Sequence, residues 1–188
     1  MRSELQLKNI TFPASKTALG ELPEGKLLIN TINAHSYNVA QEDKEFAEAL
    51  LCSDVLIPDG VGVVKAVKWL RAEKIERIAG WDLFEWEMEK TAARAKQQEV
   101  SNKTVFFLGS SEAVLAKIKE KAAVDYPNLE IHSYSPPYKP EFTAEDNRAM
   151  IEAVNAVVPD LLWIGMTAPK QEKWGWLMIS GKWLVVND

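Results

Sequence analysis

The chain has 188 residues, 47% of them apolar, with a net charge of −5 and a single cysteine. That apolar share excludes a disordered chain, the length suits one domain with a sizeable core, and the acidic balance argues against nucleic acid as a partner. Cys52 permits no internal disulfide and fits a reducing, cytoplasmic setting, and with only His35 and His132 beside it no Cys/His metal cluster can form.

The opening MRSELQLKNITF lacks the apolar run of a signal peptide, and no window reaches the ~18 apolar residues of a membrane span. The first strand is predicted over 26–32, KLLINTI. Ser36 then reads as the cap of one helix over 37–51, with Val39, Phe46, Ala47, Leu50 and Leu51 on one stripe. A short strand follows at 54–57, a short helix at 61–70, and a long helix at 81–98.

The second half continues the alternation. A strand is expected at 104–109, a helix at 111–126 ending before Pro127, and a strand at 129–134. SPPYKP is a loop by its three prolines, and Thr143 opens a helix to about Val157 with Asp146 as capping-box partner. A strand at 161–166 and a helix beginning in APKQEKW, 168–174, complete the reading. The order predicts an α/β fold: a Rossmann-like parallel sheet with helices on both faces, in a single domain over 1–188. The seven tryptophans are expected mostly in the core.

In open parallel sheets ligands bind beyond the carboxyl ends of the strands. Polar and glycine residues gather there: Thr31, Asn33 and His35 after the first strand, PDGVG after the second, GSS after the third and GMTAPKQE after the last. Each leads into a helix start, which favours anions, so a phosphate-bearing ligand is indicated. Each feature also has a plain reading. GSS at 109–111 is a turn and cap, or a ligand contact. Asp59 is a helix cap, or a base accepting a hydroxyl proton where Gly60 and Gly62 leave it unshielded. Lys170 and Gln171 form a solvated first turn, or meet phosphate and sugar; Arg77 is a surface charge, or a phosphate clamp. His35 and His132 read as structural. GELPEGK lacks the Ser/Thr and the preceding strand of a phosphate-binding loop, and no dinucleotide glycine fingerprint is present, which disfavours a nicotinamide oxidoreductase.

Taken together and in order, INTINAHSYNVAQED, LIPDGVGVV, ERIAGWDLF, VFFLGSSEAV and TAPKQEKW resemble the WecG/TagA/CpsF glycosyltransferases. The resemblance runs from about residue 26 to 174. It implies a Rossmann-like core of the type called GT-E, and inverting, metal-independent transfer of an N-acetylmannosamine-type sugar from a UDP donor to a saccharide on undecaprenyl pyrophosphate. It implies no cofactor, a place at the inner face of the bacterial membrane, and a homo-oligomer by family habit. By motif match it makes Asp59 the general base and sets Thr31 and Asn33 in the pocket, with Gly60 beside the base. Arg77 and Gln171 then fall near the donor, and Lys170 with Gly109, Ser110 and Ser111 near its diphosphate.

After Trp174 the sequence departs from the family, whose chains continue into a Gly-rich stretch and a basic C-terminal appendage. Residues 175–188 accordingly read as a truncated or frameshifted end, or a genuine short form of the family. Trp176, Leu177, Met178, Ile179 and Trp183 are expected to pair as an edge strand, to touch a bilayer, or to fray. The rival to an active transferase is a truncated relative that binds a UDP-sugar without transferring it.

Overall fold

The computed structural model describes residues 5–97 and 103–181. Two short 3-10 turns, Leu7–Asn9 and Lys16–Glu21, precede an alternation of strands and helices. In chain order these are β1 (Ile29–Ile32), α1 (Ala34–Glu42), α2 (Lys44–Leu51), β2 (Val55–Pro58), α3 (Val61–Arg71), α4 (Gly80–Gln97) and β3 (Lys103–Leu108). Then follow α5 (Glu112–Asp125), β4 (Leu129–Tyr134), α6 (Ala144–Val157), β5 (Leu161–Ile164) and α7 (Lys170–Ser180). All strand pairs are parallel, as the alternation predicts, but they form two ladders: β1 with β2, and the order β4-β3-β5. Apolar strand runs announce burial without saying which strands pair.

The chain divides into two compact units, one from Met1–Trp86 and Glu172–Ile179, the other from Glu87–Gln171 and Ser180–Asp188. In the first unit Ile29 through Ile32 pair in register with Val55 through Pro58. Asp54 fixes the start of this ladder: its Oδ2 accepts the Leu28 N–H at 2.7 Å, and its own N–H donates to the Leu28 carbonyl at 2.9 Å. Ile32, Phe46, Leu50, Leu56, Val63 and Val67 share a core with Leu7, Phe12 and Ile75. The turn Leu7–Asn9 packs on α3.

In the second unit β3 is central. Val105, Phe106, Phe107 and Leu108 are all buried, and successive strand residues face opposite ways, so both faces of β3 are covered. α5 packs on β4, and α6 on β3 and β4. Asp160 ties the entry of β5 to β3, accepting from Lys103 Nζ at 2.8 Å and from the Thr104 N–H at 2.9 Å. The Thr143/Asp146 capping box forms as predicted.

Four local expectations change. The helix over 37–51 is two helices, because Asp43 accepts the Phe46 N–H and caps a new start. Asn33, not Ser36, caps α1. The segment expected as an edge strand is α7 as far as Ser180, stopped by Gly181 in the left-handed conformation (φ 67°); Trp183 lies outside the described residues. Trp174 is buried, whereas Trp69, Trp81 and Trp86 are exposed, against the expected core placement. Among the described residues no helix is long and apolar enough to cross a membrane.

Candidate functional site

In the first unit, three segments converge at the carboxyl edge of β1 and β2. Asp59 donates its N–H to the Ile32 carbonyl at 2.9 Å, joining the two strand ends. Ile78 donates to the Pro58 carbonyl at 3.1 Å, bringing the run into α4 alongside. A Cβ on Gly80, the first residue of α4, would stand 3.7 Å from Thr31 Cγ2. This edge therefore brings together Thr31, Asn33, Asp59 and Gly60, all half-buried, and the α4 start.

Asp59 does not cap α3. That position belongs to Gly60, at φ 152°, and α3 begins with no side-chain cap. Among the described residues the Asp59 carboxylate has no hydrogen-bond or ion-pair partner. Gly60 is a packing requirement: a Cβ there would lie 3.3 Å from Asn33 Cβ, and one on Gly62 would lie 3.4 Å from Ala34 Cβ. The glycines let the β1 and β2 turns lie against each other.

Asn33 is held by a reciprocal pair with buried Ser36. Its Oδ1 accepts the Ser36 N–H at 2.9 Å, and its N–H donates to Ser36 Oγ at 2.8 Å. With Oδ1 committed, the Nδ2 amide is the group left for a ligand. His35 is exposed on the next turn. Arg77 is exposed on the segment entering α4. Its charge, after hydrogen bonds from Lys16 and the Ala79 N–H, helps hold the Asp82 carboxyl below its usual range.

The second unit has its own carboxyl edge. Gly109 (φ 78°) is buried, and a Cβ there would meet the Gly165 carbonyl oxygen at 2.8 Å, so the β3 and β5 turns also touch through glycine. Gly109–Ser110 and Ala168–Pro169 are cis peptides. Ser110 and Ser111 are exposed, and the Ser110 carbonyl accepts from Ser135 Oγ at 3.0 Å. α5 and α7 begin without side-chain caps, so their first-turn N–H groups present a positive end. Lys170 turns toward the 135–142 loop, donating to the Lys139 carbonyl at 3.0 Å and lying 5.6 Å from the Phe142 ring centre. Gln171 is half-buried.

Sequence reasoning missed Ser36 as the lock on Asn33, and Lys173 as an anchor. Lys173 pairs with Asp43 at 2.7 Å and Glu45 at 3.0 Å, fixing α7 to the start of α2 within the first unit. Burial works against both charges. For Lys173 the two carboxylates outweigh it and raise the ammonium above its usual range; for Asp43 the Lys173 and Phe46 hydrogen bonds outweigh it and lower the carboxyl. The run D-K-E before Phe46 is the signal for a second helix start.

An α/β protein whose polar groups collect at the carboxyl ends of parallel strands belongs to the broad class that binds ligands there. The sequence model of the glycosyl transferase WecG/TagA/CpsF family matches residues 4–179, and the chain belongs to that family. The match extends to residues 175–179, past the end of the motif resemblance at Trp174. A relative from Bacillus spizizenii is 31% identical over 133 residues, covering 71% of this chain and 47% of its own. One from Bacillus subtilis is 28% identical over 146 residues, covering 78% and 52%. One from Staphylococcus aureus is 28% identical over 162 residues, covering 85% and 58%. Each is named an N-acetylglucosaminyldiphosphoundecaprenol N-acetyl-beta-D-mannosaminyltransferase. The chain spans about half the length of these curated relatives.

Proposed function

We propose that this protein is an inverting hexosyltransferase that moves an N-acetylmannosamine-type sugar from a UDP donor to a saccharide carried on a polyprenyl pyrophosphate. The observation that carries this reading is the half-buried Asp59 carboxylate, without a partner among the described residues, at the edge where β1, β2 and the α4 start meet. It is supported by the family membership and by the relatives' names.

An ionised Asp59 oxygen takes the proton of the acceptor hydroxyl as that oxygen attacks the sugar C1. The C1–oxygen bond to the diphosphate breaks, and UDP leaves with the electron pair on the opposite face, so the configuration inverts. Thr31 Oγ1 and the Asn33 amide orient the acceptor. In the same unit the uncapped α3 start and Arg77 supply positive potential toward phosphate. Gly109, Ser110, Ser111, Lys170 and Gln171 are assigned to the donor by the family motif match. The reaction so written uses no metal ion, and a chelator leaves turnover unchanged.

The test is UDP release with a soluble lipid-pyrophosphate acceptor analogue. The wild type turns over, and Asp59→Asn lowers kcat by about 10²–10⁴ with an unchanged melting temperature. UDP binding without turnover by the wild type overturns the proposal and identifies a binding relative.

A further inference from the structure

The exposed face of α3 pairs bare apolar side chains with unpaired cations. Trp69 is 83% exposed and Val61 65%. Val61, Lys65, Lys68 and Trp69 follow the i, i+4, i+7, i+8 spacing of one helix stripe, while Val63 and Val67 face the core. The helix contains Lys65, Lys68 and Arg71 and no carboxylate, in a chain of net charge −5. Arg71 turns inward to the Ile10 carbonyl and Glu73. Lys65 and Lys68 are exposed and form no ion pair among the described residues. Exposed Lys8 lies on the 3-10 turn that packs against α3.

We infer that this face of α3 docks on an anionic lipid surface, the helix lying in the plane of the headgroups. Trp at the interface level, with a Val and two lysines on the same stripe, is the chemistry of such a helix. A second copy fits worse, because two such faces would oppose lysine to lysine. The inference deepens the proposed function, whose acceptor is lipid-borne: α3 starts one residue after Gly60, so docking brings the Asp59 edge to the membrane.

The test is cosedimentation of the full chain with phosphatidylglycerol-containing vesicles and with pure phosphatidylcholine vesicles, at low and high salt. Binding is expected to the anionic vesicles only, and to weaken with salt. K65Q/K68Q lowers it about thirtyfold, at about fivefold for each lysine near a charged surface. W69S lowers it about tenfold. Both variants keep wild-type melting and wild-type turnover of the soluble acceptor analogue, which separates this inference from the proposed function. No anionic vesicle binding, binding unaffected by both variants, or a W69S effect seen only as loss of a dimer in sedimentation velocity overturns it.

Discussion

Gly109→Ala tests the close approach of the β3 and β5 turns. Gly109 sits at φ 78°, where an L side chain costs about 1–2 kcal/mol. The new Cβ would also lie 2.8 Å from the Gly165 carbonyl oxygen, a backbone atom that cannot swing away. Forcing that contact open in a packed turn adds about 1–3 kcal/mol, for a total of about 2–5 kcal/mol. Gly181→Ala is the control: it carries φ 67° with nothing within 4 Å, so it has the conformational cost alone. At about 2–4 °C per kcal/mol for a chain of this size, Gly109→Ala should melt about 5–15 °C below wild type by circular dichroism. Gly181→Ala should lose only a few degrees. Equal melting temperatures for the two variants would refute the claim that the turns touch.

Asn33→Asp keeps the acceptor for the Ser36 N–H, so stability should stay within about 0.5 kcal/mol in urea melts, while Asn33→Ala should lose about 1 kcal/mol. Asn33→Asp should nonetheless lose transfer, since a second carboxylate replaces the amide near Asp59. Thr143→Ala removes the α6 capping box and should cost about 1 kcal/mol in the same melts. Lys173→Met should cost about 1 kcal/mol near pH 7. Because the folded Asp43 carboxyl is lowered, its contribution is complete above the unfolded value of about 3.9 and is lost as pH falls through the folded one. The melting gap between wild type and Lys173→Met should therefore close as pH drops below about 4.

The strands were legible in the sequence because each is a short apolar run between turn residues, and β4 matches its expected bounds, 129–134. The α1/α2 break was not, because periodicity runs through Asp43 and only the cap chemistry interrupts it. The division into two ladders was not, because pairing is a long-range property that local pattern does not encode. The α7 segment misled because Trp, Leu and Ile serve strand and helix alike; Gly181 as a helix stop was the better signal. The placement of Asp59 and Asn33 at the strand ends was readable from the sequence, but the Ser36 lock was not.

The glycines beside Asp59 need a changed explanation. Sequence reading took Gly60 and Gly62 as clearing space for a ligand. The Asn33 and Ala34 contacts show that neighbouring turns already fill the space a side chain would need. The same device recurs where Gly109 meets Gly165. In each ladder, then, glycine lets adjacent parallel strands end side by side, and that packing sets the position of the next helix start. The position of the Asp59 carboxylate follows from this arrangement. Asp59 is the residue between the last ladder position and the glycine that turns the chain into α3. Its N–H is tied to β1, and its side chain is left over once the backbone has been satisfied.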